Sequence, residues 1–106
     1  MHRLTISYTE PADPSGFEVD YRDRHVPIAT TMPGVRRFLL SHPRSLGPGE
    51  APYLVAELWF DDADALKAAL RSPEGAATAA HAQEIVEKYG VASMTMATGE
   101  VVETLV

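Results

Sequence analysis

The 106-residue chain contains no cysteine. That absence excludes disulfides, thiolate metal sites, iron–sulfur clusters and a cysteine nucleophile. Basic residues are also scarce: nine Lys and Arg against fifteen Asp and Glu, for a formal net charge of -6. Arg36-Arg37 is the one adjacent basic pair. A phosphate-backbone partner or an anionic membrane surface needs clustered cations, so neither nucleic acid nor membrane is expected as a partner. No apolar run approaches the roughly 20 residues of a spanning helix, and the N-terminus has no leader pattern. A cytoplasmic location is the expectation. Neither a GxGxxG fingerprint nor a phosphate loop occurs, which leaves nucleotide and flavin sites without support.

What is present reads as a single globular domain over residues 1–106, with 45% hydrophobic residues and no low-complexity tract. His2 to Thr9 alternates in hydropathy and predicts a first strand. A helix follows, begun by a capping box of Ser15 and Glu18 or by Asp13 before Pro14. Phe17, Tyr21, His25 and Ile28 fall on one face of it. Pro27 cannot donate to the Asp23 carbonyl, so a break or kink is expected beside His25. Val35 to His42 predicts a second strand, residues 43–52 a loop, and Tyr53 to Phe60 a third strand. Ala63 to Leu70 predicts a short helix behind Asp61 and Asp62, and a longer one starts at Ser72-Pro73 and ends at Gly90. Val91 to Thr98 predicts the last strand. Gly99-Glu100 then turns into a tail, 101–106, of strand-like composition.

The order β-α-β-β-α-β defines an α+β, ferredoxin-like split arrangement with an antiparallel sheet. Its helices cover one face. Yet the third strand carries apolar residues on both faces: Leu54, Ala56, Leu58 and Phe60 on one, Tyr53, Val55 and Trp59 around Glu57 on the other. The second row needs a cover, and a homodimer through the sheet face supplies one.

Six residues are candidates for a site. His25 reads first as a structural cap on the broken helix and second as a general base near neutral pH. Glu57 is either an acid–base group between sheets or the partner of Arg36, Arg37 or a residue across the dimer. Tyr21 lies one turn from His25 and brings a hydroxyl that needs a partner. Trp59, Phe38 and Tyr53 are candidate walls for a planar ligand, although aromatic residues on strands more often serve packing. The four histidines, His2, His25, His42 and His81, are dispersed and predict no metal site. No cofactor is expected.

Three segments in order, Phe17-x-x-x-Tyr21-x-x-x-His25-x-Pro27, Ala56-Glu57-Leu58-Trp59-Phe60-Asp61 and Ser72-Pro73-Glu74-Gly75, resemble the EthD family, named for ethyl tert-butyl ether degradation. The resemblance implies membership of the dimeric α+β barrel group, which includes monooxygenases, cyclases, isomerases and haem proteins; the last make a haem held by His81 or His25 the minor alternative to having no cofactor. It implies a small-molecule pocket and, for an enzyme, cofactor-independent oxygenation, cyclisation or isomerisation of an aromatic or enolisable substrate. The alternative is a non-catalytic ligand-binding or accessory protein of a degradation or biosynthetic pathway.

Overall fold

A computed structural model describes residues 1–103 and 105. Four strands, β1 (His2–Tyr8), β2 (Arg37–Ser41), β3 (Leu54–Phe60) and β4 (Met94–Glu100), form one sheet in the order β2-β3-β1-β4. Every neighbouring pair is antiparallel. Helices α1 (Pro14–Asp20), α2 (Val26–Ala29), α3 (Ala63–Arg71) and α4 (Pro73–Lys88) complete the fold. A single π-helical turn, Tyr21–His25, joins α1 to α2.

Alternation places Leu4, Ile6 and Tyr8 of β1 beside Leu54, Ala56, Leu58 and Phe60 of β3 on the helix side, where all are buried. Phe17, Tyr21, Leu66, Ala69 and Ile85 close the core from the helices. The opposite face carries Arg3, Thr5, Val55, Glu57, Trp59 and Leu39, none of them buried.

The first helix departs from expectation in two ways. Asp13 is its N-cap, accepting from the Gly16 amide at 3.1 Å, while Glu18 serves other partners and no Ser15–Glu18 box forms. Nor does the chain break beside His25. The Val26 amide donates to the Tyr21 carbonyl, five residues back, and the widened turn sets Pro27 in the first turn of α2, where no amide hydrogen is required. The extra residue also moves the buried stripe to a spacing of four: Phe17, Tyr21, His25, then Ala29 in place of Ile28.

Strand ends shift for local reasons. Gly90 adopts φ +69°, and the Val91 amide donates to the Val86 carbonyl, closing α4 in a Schellman motif. Val91 therefore belongs to the helix end, and β4 starts at Met94. The strand runs through Gly99 and Glu100 rather than turning there. Residues 101–103 of the tail are not a strand, and the Val101 amide donates to the Met1 carbonyl. Thr104 and Val106 of that tail lie outside the described residues. Tyr53 precedes β3 and turns from the open face toward α1, its ring 6.1 Å from Phe17 and its hydroxyl donating to Glu18 at 2.9 Å.

Candidate functional site

Between the helices and the sheet lies a cavity of about 60 Å³ with almost wholly apolar walls. Leu4, Ile6 and Leu58 form its floor, while Phe38, Met32 and Ala82 are among the residues at its sides. Met96 and Leu70 stand at its rim, 58% and 41% exposed. Met96 pairs with Ile6 across the sheet and so points to the helix side, where no helix covers it. The volume holds a few waters and is far below the roughly 300–1,000 Å³ of pockets for drug-sized ligands. A porphyrin does not fit it.

The polar groups in this cavity come from an aromatic stack. Tyr8 and Tyr21 meet edge to face at 5.6 Å, Tyr21 and His25 lie 4.7 Å apart, and His25 stacks on His81 at 5.2 Å. All four are buried, His81 being the most exposed at 5%. The hydroxyls of Tyr8 and Tyr21 interact with each other, and neither has a further hydrogen-bond partner among the described residues. Burial pushes the Tyr8 hydroxyl up to about 12, and burial together with Tyr8 and Glu18 raises Tyr21 further. Both stay protonated and can donate to a ligand oxygen.

His25 is held by a side chain and not by backbone carbonyls: its Nδ1 lies 3.0 Å from Nδ1 of His81. Burial, followed by the neighbouring His81, lowers the His25 imidazole to about 4, against a smaller opposing pull from Asp20. It is neutral at pH 7, and Nε2 is the nitrogen left without a protein partner. The expected choice between an exposed base and a backbone-bound cap is thus replaced by a third arrangement. The imidazole is sealed and paired with a second imidazole, and it forms part of the cavity wall.

Of the six expected site residues, the cavity brings together His25, Tyr21 and Phe38. Glu57 sits on the other face of the sheet. It pairs with Arg3 of β1 at 3.1 Å and not with Arg36 or Arg37. Arg36 instead grips Asp61 through two bonds of 2.8 and 3.1 Å. Trp59 is on that open face too, with the Arg3 and Arg37 guanidiniums 5.9 and 5.5 Å from its ring centre. Tyr53 packs outside the cavity against His42 and Phe17.

Sequence reasoning passed over Tyr8, Asp20 and His81 as members of this cluster. Tyr8 reads as one more apolar member of an alternating strand. His81 carried a signal, because Thr78, His81, Ala82 and Ile85 share the buried stripe of α4 and a histidine there needs a partner. Asp20 is brought beside it by the π turn, with Oδ1 3.8 Å from His81 Nε2 and Oδ2 accepting from the Tyr89 hydroxyl at 2.8 Å. No sequence spacing reports that.

The architecture is a ferredoxin-like α+β fold with a buried His–His pair in a cavity between helices and sheet. Residues 9–89 match the EthD domain family model, and the chain belongs to the EthD family. An uncharacterized 11.0 kDa protein from the thcB-thcC intergenic region of Rhodococcus erythropolis is 40% identical over 81 residues, spanning 76% of this chain and 79% of that one. The crystal structure of an EthD family protein from Bacillus halodurans superposes with a TM-score of 0.82 at 30% identity, covering 94% of this chain and 97% of the other. SnoaB, a cofactor-independent oxygenase from Streptomyces nogalater, shares the fold with a TM-score of 0.71 at 21% identity over 98% and 95% of the two chains. Other proteins with the fold are dimeric. No helix among the described residues is long and apolar enough to cross a membrane.

Proposed function

We propose that this chain forms a homodimer whose subunits each bind a small aromatic or enolisable molecule in the cavity and move a proton on it at His25, without an organic cofactor. The observation that carries this reading is the meeting of three groups in one apolar space: the neutral imidazole of His25 and the facing hydroxyls of Tyr8 and Tyr21, which have no partner beyond each other among the described residues. A base beside two oxygen-directed donors suits the conversion of a carbonyl compound or phenol into its enolate or phenolate. Such an anion is the common starting point of cofactor-independent oxygenation, cyclisation and isomerisation. The fold shared with SnoaB is consistent with the first of these.

The closed state of the site favours a second reading. With His25 only 1% exposed and little free volume, a non-catalytic module that swallows a small ligand uses the same cavity. Native mass spectrometry of the purified protein, followed by NMR titration with small phenols and 1,3-dicarbonyl compounds, tests both. A ligand that perturbs His25, Tyr8 and Tyr21 resonances in the wild type is expected. Perturbation confined to Glu57, Trp59 and Tyr53 would place the site elsewhere. Ligand binding without any chemical change in every probe supports the binding module.

The dimer is proposed through the open sheet face, where Trp59, Val55 and Leu39 surround the Arg3–Glu57 ion pair.

A further inference from the structure

His25 does not stand alone, and the two residues behind it have no assigned task. The Nδ1–Nδ1 contact with His81 requires one ring to donate and the other to accept, so two tautomeric arrangements compete. In the first, His25 Nδ1–H donates and the proton of His81 sits on Nε2, facing Asp20 Oδ1 at 3.8 Å. In the second, the lone pair of His81 Nε2 faces a carboxylate oxygen.

His81 Nε2 and Asp20 Oδ1 are both buried and both lack a hydrogen bond at this separation. Closing the gap by a small ring rotation satisfies the two together in the first arrangement and neither in the second. Leaving the buried His81 nitrogen unpaired is costly, and setting its lone pair against a carboxylate oxygen adds repulsion. Electrostatics therefore select the first arrangement, which leaves the lone pair of His25 on Nε2, the nitrogen with no protein partner.

We propose that His81 and Asp20 are positioning residues that hold His25 in the Nδ1–H tautomer and take over the charge when it accepts a proton. This rests on the reading of the cavity as a proton-transfer site. In the step, a C–H or O–H bond of the ligand breaks and its electron pair stays on the ligand, delocalised to an oxygen that Tyr8 and Tyr21 receive. The proton binds His25 Nε2, and the Nδ1 proton passes to Nδ1 of His81. His25 ends neutral, and the positive charge rests on His81 beside the Asp20 carboxylate. Arg24, whose Nη1 is 3.5 Å from Asp20 Oδ1, and Tyr89 hold that carboxylate from the solvent side. A cation on His25 itself would sit in an apolar cavity with no counter-ion in contact, the costly case for a buried charge. Moving it one residue outward removes that cost.

The substrate class follows from the same geometry. It is a small, mostly apolar carbon or oxygen acid with its oxygen next to the acidic position, and it is uncharged on entry. A carboxylate-bearing or phosphorylated ligand finds no cation in the cavity wall.

The test is long-range proton–nitrogen NMR on histidine-labelled protein at neutral pH, which reports which ring nitrogen carries the proton. Wild type is expected to show His25 protonated at Nδ1 and His81 at Nε2. In Asp20→Leu the preference is expected to collapse, with a protonated Nε2 appearing on His25. Deuterium exchange into a bound 1,3-dicarbonyl probe is expected to fall about tenfold or more in Asp20→Leu and His81→Phe while probe affinity holds. A wild-type spectrum with His25 protonated at Nε2 overturns the proposal, as does an Asp20→Leu spectrum identical to wild type. Because the wild-type spectrum is decisive alone, a variant that fails to fold does not block the test. The tautomers judge the relay and probe exchange in the wild type judges the proton-transfer reading, so the two fail separately.

Discussion

Nδ1 of His25 and Nδ1 of His81 meet at 3.0 Å across the gap between the π turn and α4, inside a buried cluster. Two elements far apart in sequence are thereby tied through the His25 imidazole, whose burial makes the stability of the fold depend on pH.

His25 is lowered to about 4 in the folded chain, chiefly by burial, against about 6.5 unfolded. Between those values the unfolded state binds more protons, so stability rises with pH in that window. It is fully present above about pH 6.5, declines as pH falls through the window, and the loss levels off below about 4. From pH 7 to pH 5 the decline is about 2 kcal/mol. Urea denaturation at several pH values is expected to show it in the wild type and to show a shallower slope in His25→Leu.

The hydroxyls of Tyr8 and Tyr21 are buried with no partner beyond each other among the described residues, which costs stability in the empty protein. Tyr8→Phe and Tyr21→Phe are therefore expected to leave the melting temperature unchanged or to raise it, with a gain of up to about 1 kcal/mol each. The same variants are expected to bind an oxygen-bearing probe several-fold more weakly. Stability loss with unchanged binding would remove the hydroxyls from the site.

Gly75 shows the reverse balance. A Cβ there would stand 2.8 Å from the Leu70 carbonyl oxygen and meet the Ala69 carbonyl oxygen as well, so α4 packs on the end of α3 only without one. Backbone atoms cannot rotate away, and Gly75→Ala is expected to cost about 2–3 kcal/mol in chemical denaturation. Gly75 also lines the cavity, so the variant tests how tightly ligand uptake depends on that helix contact.

Trp59 lies between Arg3 and Arg37 on the open face. Trp59→Glu puts a carboxylate in the middle of the proposed dimer contact and is expected to yield a monomer in light scattering, with an unchanged far-ultraviolet spectrum. A wild-type protein that is already monomeric at micromolar concentration contradicts the dimer.

Much of the fold was legible because it rests on periodicity. The alternation of β1 and β3, the acidic pair Asp61 and Asp62 ahead of α3, Ser72 as a cap and Gly90 as a helix terminator all act locally, and each sits where its chemistry predicts. Where two local signals competed, reading failed. Pro27 signals a break in an α-helix, but a widened turn upstream absorbs it, and no residue type marks that turn. Val91 has strand composition, yet its amide is used to close α4. The site was legible at Tyr21 and His25, which show their shared helical face with Phe17 in the sequence, and at Phe38 of β2. Their partners Tyr8 and His81 come from β1 and α4, and tertiary packing alone unites them. Glu57 was singled out because a charge in an apolar row looks anomalous, and the register resolves the anomaly by setting Arg3 diagonally across from it.

The most direct test of the central claim follows deuterium uptake from heavy water into a panel of small 1,3-dicarbonyl compounds and phenols by proton NMR. Uptake is compared between wild type and His25→Ala, with folding of both confirmed by circular dichroism. Proton transfer in the cavity predicts saturable exchange with the wild type and a fall of about a hundredfold in the variant. Equal exchange with the two proteins, or none above buffer with probes shown to bind in the cavity, contradicts it.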